Sequence, residues 1–154
     1  MAKFTFNLEV VMKERKRQEE KKLQEWTLSK RILDEMKLVL TETEQRLKLA
    51  FDEATELASL PLNQSAQFGI MESFIKGLKA KIIRKTGEIE RATKFTEKKR
   101  QEFVLASQKF KALEKLREKK LEEFMDKIRK RELKRLDDIY VMRGSRKEDE
   151  VTQE

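Results

Sequence analysis

Cysteine and histidine are both absent from these 154 residues, proline occurs once and glycine four times. Without cysteine there is neither a disulfide framework nor a thiolate metal site. Without histidine the chain lacks the commonest general base and the commonest metal ligand. So few turn formers allow few chain reversals. No apolar run approaches the roughly 20 residues that span a bilayer. The opening, Met1 to Val11, has no basic region leading into an apolar stretch, so it does not read as a secretory signal. These absences predict a cytoplasmic protein.

What the chain has in abundance is charge. Asp, Glu, Lys and Arg make up 43% of it, against about 25% in a typical globular chain. A chain this charged, with so few reversals, cannot build a layered core, but it can bury narrow apolar stripes between helices. The net charge of +8 is unevenly placed. Residues 1–60 hold 12 basic and 12 acidic residues, so the whole excess lies in the second half. The last stretch, 144–154, has two bases and four acids, which leaves +10 on residues 61–143. That asymmetry points to an acidic partner surface for the second half.

Asn7 is a candidate N-cap for a first helix, with Glu9 in its first turn. From Trp26 a seven-residue repeat is clear: one row is Trp26, Leu33, Leu40, Leu47 and Ala54, the other Met36, Thr43, Ala50 and Leu57. These are the a and d rows of a coiled coil. Before Trp26 the same rows hold Arg15, Glu19 and Lys22, a poor seam on a segment that is helical by propensity. Leu60-Pro61-Leu62-Asn63 is the only strong break, and Asn63 or Ser65 can cap a second helix. Its rows are Phe68, Ile75, Ile82, Ile89, Phe103 and Phe110, with Met71, Leu78, Ala92, Ala106 and Leu113. Thr96 and Lys99 interrupt them, and beyond Leu113 the stripe shifts frame to Leu121, Phe124, Ile128, Leu136 and Ile139. Gly144 reads as the C′ residue that ends the helix.

The prediction is therefore all-α, a long antiparallel two-helix coiled-coil hairpin forming one domain over residues 1–154. Helix one covers about 7–59, the turn about 60–64 and helix two about 65–143, with a disordered tail at 144–154. The helices rise roughly 75 and 120 Å, so a rod longer than about 80 Å is expected. Folding near residue 62 sets residue i opposite about 124−i. Residues beyond about 120 then overhang the N-terminus, with a basic face and an apolar stripe that has no internal partner.

The run Lys109 to Arg143 mixes 13 bases with 8 acids. It reads either as a solvated helix face laced with i,i+4 pairs or as a partner-binding face. Nucleic acid suits it poorly, because interleaved acids repel phosphates and no aromatic stacking platform is present. Asp137 and Asp138 do not form a catalytic dyad, since neighbours on a helix point about 100° apart. With no Gly-rich phosphate loop and no nucleophile–base pair, the chain reads as no enzyme, with no cofactor and no small-molecule ligand. Leu38 and Leu49 fall on the outer face, and Phe51 and Phe74 flank the seam. Folding at residue 62 brings Leu49, Ala50 and Phe51 opposite Phe74 and Leu78, with Gly77 between the last two. The expected result is an apolar patch near the hairpin tip.

The opening Lys3-Phe4-Thr5-Phe6-Asn7-Leu8-Glu9-Val10-Val11, followed by Lys13-Glu14-Arg15 and Gln18-Glu19-Glu20, resembles the start of the flagellar FliJ family. The run Ala112-Leu113-Glu114-Lys115-Leu116-Arg117-Glu118-Lys119-Lys120-Leu121-Glu122-Glu123-Phe124 resembles that family's C-terminal signature, as does Arg131-Glu132-Leu133-Lys134-Arg135-Leu136-Asp137-Asp138-Ile139. The Phe-x-Phe-x-Leu-Glu opening and the Leu-Asp-Asp ending are the specific parts. The resemblance implies a component of the flagellar type III export apparatus, cytoplasmic and peripherally associated with the inner membrane. The implied partners are the hexameric export ATPase, the export gate protein FlhA and export chaperones. A Phe-Ile-x-x-Leu run near the tip implies gate binding by Phe74 and Leu78, with Gly77 between them and Arg46, Ala50, Glu53 and Leu57 on the facing helix. The stalk role it implies puts the overhang in the ATPase ring, through Leu121, Phe124, Ile128, Arg129, Lys130, Arg131, Lys134 and Arg135. The alternative is a generic coiled-coil scaffold or dimerisation rod with no flagellar role.

Overall fold

A computed structural model describes the backbone at residues 3–59 and 65–151, and side chains at 3–59 and 66–142. It contains two helices, α1 (Glu9–Ala58) and α2 (Ser65–Val151), of 50 and 87 residues. The all-α hairpin with a longer second helix is as the heptads predict. The turn expected at residues 60–64, including Pro61 and the candidate cap Asn63, lies outside the described residues. By contacts the chain divides into two compact units, residues 17–107 and residues 1–16 with 108–154.

In the unit of residues 17–107 the helices run antiparallel, in the register set by folding near residue 62. Glu25 meets Lys99 at 3.0 Å and Lys22 meets Glu102 at 2.8 Å, both pairs obeying the expected numbering. The buried apolar residues are Leu33, Ala50, Ile75 and Leu78, all from the a and d rows. Ala50, Ile75 and Leu78 form one cluster, against which Leu47, Ala54 and Met71 pack. Farther along, the Trp26 and Phe103 rings stack with centroids 5.5 Å apart. Two helices bury only a stripe each, so among the described residues no large side chain is completely enclosed.

Polar residues in the rows do not break the seam. Ser29, Thr43 and Thr96 are buried in it, and Ser107, next to the row residue Ala106, is buried as well. Their hydroxyls are small, and a helix carbonyl can satisfy them without a partner from the opposite helix. Ser29 Oγ donates to Trp26 O at 2.8 Å and Thr43 Oγ1 to Val39 O at 2.8 Å. Thr96 Oγ1 instead crosses the seam to Ser29 O at 3.3 Å. Thr96 is thus a packed position, where the sequence suggested an interruption.

In the second unit, residues 3–6 are non-helical and lead into α1. Met12 N–H donates to Leu8 O, so Leu8 occupies the cap position and Asn7 lies in the turn before it. The sequence placed the cap one residue early. Glu9 Oε2 lies 3.4 Å from Arg117 Nε. The Phe4 ring lies 5.6 Å from the Phe124 ring at 54°. This contact corrects one expectation: Phe124 has an internal partner, and the uncovered part of α2 begins past Ile128. The error came from carrying the one-for-one numbering, residue i opposite about 124−i, into the residues that precede the helix. An extended residue advances about 3.3 Å against 1.5 Å in a helix, so the segment before α1 reaches farther along α2.

At its other end α2 continues through Gly144 to Val151. A helical stop at Gly144 and a disordered tail from there were expected. A single interior glycine costs only about 1 kcal/mol relative to alanine, and the residues after it, Arg146, Lys147, Glu148 and Glu150, are good helix formers. No proline follows to enforce a stop.

Candidate functional site

The least apolar part of the seam carries its most organised polar chemistry. Lys22 and Lys99, one from each helix, alternate with Glu25 and Glu102 in a closed ring of four charges. Its four contacts are Lys22–Glu25 at 3.1 Å, Lys22–Glu102 at 2.8 Å, Lys99–Glu25 at 3.0 Å and Lys99–Glu102 at 3.3 Å. Each helix supplies an i,i+3 pair, and each ammonium bridges to the other helix. The ring is partly withdrawn from water, with side chains 20–34% exposed. Hydrogen bonds from both lysines, that of Lys99 the stronger at Glu25 and that of Lys22 at Glu102, hold the two carboxyls below their ordinary value of 4.5. The same bonds, with Glu102 leading at Lys22 and Glu25 at Lys99, raise the ammonium groups above 10.5.

The ring fixes register. A slip of one heptad in one direction would set Lys22 opposite Phe95, and in the other opposite Lys109, so either slip opens all the cross-helix pairs. Because the carboxyl values are depressed on folding, this contribution is complete above pH 4.5 and is lost as pH falls through the folded values. Because the lysine values are raised, it is complete below pH 10.5 and is lost only above that. The melting temperature is therefore expected to be flat between these limits and to fall on the acid side. Glu25→Gln with Glu102→Gln should lower the plateau and make the acid limb shallower, as read by circular dichroism. An acid limb of unchanged steepness in the double variant would remove the ring from the stability of the seam.

At the tip the structure sorts the residues into a seam and two flanks. Ala50 and Leu78 are buried in the seam, and Leu57 is half-buried in the same row. Helix geometry puts Arg46, Glu53 and Phe74 on one flank, with Gly77 turned outward on that side. Phe74 is 52% exposed. A Cβ added at Gly77 would meet nothing within 4 Å, so this position is open. Phe51 lies on the other flank, where Lys79 Nζ sits 5.0 Å over its ring. The single apolar patch expected from Phe51 and Phe74 is thus two separate surfaces.

In the unit that holds the two chain ends, Phe124 and Ile128 are half-buried and Leu121 is only just exposed. From Arg129 to Met142 every residue is exposed. This stretch carries Arg129, Lys130, Arg131, Lys134 and Arg135, against Glu132, Asp137 and Asp138. Arg129 reaches Asp126 at 3.4 Å, a surface i,i+3 pair of little weight. Leu133, Leu136 and Ile139 lie bare among these charges.

A family model described as the flagellar FliJ protein matches residues 4–149. The chain belongs to the FliJ family. No curated protein and no solved structure matched it. The match covers both helices and the segment before α1, so it includes the tip flank with Phe74 and the basic end of α2. FliJ proteins are non-catalytic components of flagellar export, and this chain is accordingly a flagellar export-related protein. Among the described residues no helix is long and apolar enough to cross a membrane. Sequence reasoning missed three features of this FliJ chain: the charge ring, the Phe4–Phe124 contact and the separation of Phe51 and Phe74 onto different flanks. The ring had a readable signal, since Lys22 and Lys99 hold seam positions and each is followed three residues later by a glutamate.

Proposed function

We propose that this chain is an export stalk that joins the hexameric flagellar export ATPase to the export gate protein FlhA. The ring end is assigned to α2 from Leu121 through Phe124, Ile128, Arg129, Lys130 and Arg131 to Lys134 and Arg135. The gate end is assigned to the tip flank, with Phe74 as its apolar anchor, Arg46 and Glu53 beside it, and Gly77 leaving room for a partner's backbone. Export chaperones bind in the same reading, and the chain associates peripherally with the inner-membrane export apparatus. The chain does no chemistry itself, and nucleotide belongs to the ring.

The observation that supports this most is the stretch 129–142. It is a helix exposed at every position, basic on balance, with bare leucine and isoleucine side chains. A helix that pays the desolvation cost of nothing internal is available to a partner over its whole circumference. Leu78 and Ala50 support the gate site from below, as buried residues that hold the flank in shape.

The test is capture of the cognate ATPase and of the gate's cytoplasmic domain by the full chain. Phe74→Ala should weaken gate capture by about 2 kcal/mol, roughly thirty-fold, and leave ATPase capture unchanged. Gate binding should also vary little with salt, because its anchor is apolar. Equal loss of both partners would mean that Phe74 acts through the fold, and unchanged gate capture would remove the flank from the interface.

A further inference from the structure

The flank of the tip opposite Phe74 carries a groove of about 610 Å3 between the two helices. Phe51 and Phe68 form its walls, 42% and 46% exposed, and Ala54 and Ile75 form its floor. Glu72, Lys76 and Lys79 stand on its rim. We propose that this groove is a docking site for an acidic amphipathic helix of another protein, separate from the flank assigned to the gate.

Three observations select that occupant. A groove between two antiparallel helices has the shape that a third helix fills, with apolar anchors at i, i+4 and i+7 reaching the floor. From Phe51 to Ala58 the groove runs about 10 Å along α1, the length of two helical turns. The rim supplies the charge preference. Lys76 is paired with Glu72 at 2.8 Å. Lys79 is held over the Phe51 ring, and among the described residues no carboxylate pairs with it. The turn residues, Leu60 to Gln64, contain no acid that could do so. Lys79 is therefore a positioned cation awaiting an anion at the mouth of an apolar groove. A carboxylate can reach its ammonium without disturbing the ring contact beneath, because the ammonium has donors to spare.

A second copy of this chain suits the groove poorly. In a two-fold interface the groove would meet itself, bringing together two rims that each hold two lysines and one glutamate, so that like charge outweighs unlike. The site is independent of the stalk reading, since none of its lining residues lies on the Phe74 flank.

The probes are two short stapled helical peptides with leucines at i, i+4 and i+7. One carries glutamates on both sides of the leucine stripe, and its twin carries lysines. Calorimetric titration into the full chain should show one-to-one binding of the glutamate peptide only. Phe51→Ser should weaken it about thirty-fold, and Lys79→Glu should reverse the preference toward the lysine peptide. Phe74→Ala should leave it unchanged, and circular dichroism should show all three variants as helical as the parent. Binding of both peptides alike, binding of neither, or loss of binding in Phe74→Ala would overturn the proposal. So would a concentration-dependent dimer, seen by sedimentation equilibrium, that Phe51→Ser abolishes, because the groove would then belong to a second copy.

Discussion

Leu78→Ala is expected to destabilise the protein by about 2–3 kcal/mol, while Phe74→Ala, four residues away, costs less than about 0.5 kcal/mol. Both residues belong to the Phe-Ile-x-x-Leu run, and their difference is one of placement. Leu78 is buried in one cluster with Ala50 and Ile75. Truncating it removes apolar contacts from a seam with no second layer behind it. The low end of the usual range applies, because a cavity in so thin a structure opens to water. Phe74 stands half out on the flank, so about half of its surface is already in water and its removal leaves no enclosed cavity. Urea unfolding followed by far-ultraviolet circular dichroism would separate the two. A Phe74→Ala loss as large as that of Leu78→Ala would make Phe74 a core residue and end its candidacy as an anchor.

Reversing Arg129, Lys130 and Arg131 to glutamate should reduce stimulation of the cognate export ATPase about tenfold or more at low salt. The substitutions turn three positive charges negative on an exposed stretch of α2. Glutamate is as good a helix former as the residues it replaces, and the Asp126–Arg129 pair that is lost is exposed. Helicity should therefore be unchanged, which separates a lost interface from a lost fold. Stimulation by the parent chain should also decline as salt rises, since exposed charges are screened within about 8–10 Å. Stimulation that survives the reversal at both low and high salt would mean that another surface engages the ring.

The hairpin was legible because heptad rows are a long, redundant signal. Leu33, Ala50, Ile75 and Leu78 fall where counting by sevens and one proline put them. Register was legible for the same reason, since Glu25 and Lys99 meet at the distance from residue 62 that folding there requires. The charge ring was overlooked because lysine in a coiled-coil row reads as a defect when each helix is considered alone. Its meaning appears only when both interruptions are placed side by side. The split of the tip into two flanks was hidden by residue numbering. Phe51 and Phe74 are nearly level along the hairpin, yet a rotation of about 100° per residue sends them to opposite sides. The N-terminal reach was misjudged because four residues were assigned the wrong rise.

The N-terminal reach bears on how the end of α2 proposed to face the ring can be uncovered. Between the Phe4–Phe124 contact and the Glu9–Arg117 pair, the chain advances five positions in the N-terminal segment and seven along α2. The segment has no helical hydrogen bonds of its own to lose over residues 3–6. Lifting it breaks the Phe4–Phe124 ring contact, the packing of half-buried Phe6, the hydrogen bond from Glu9 N–H to Phe6 O and, farther in, the Glu9–Arg117 pair, while both helices stay wound. Local opening therefore belongs to the low-energy end of this molecule's fluctuations. It bares Phe124, adding it to the stripe of Leu133, Leu136 and Ile139 that already faces solvent. Hydrogen exchange should show the backbone before Leu8 exchanging freely while α2 beneath it stays protected, so that a partner gains apolar surface there without any helix having to melt.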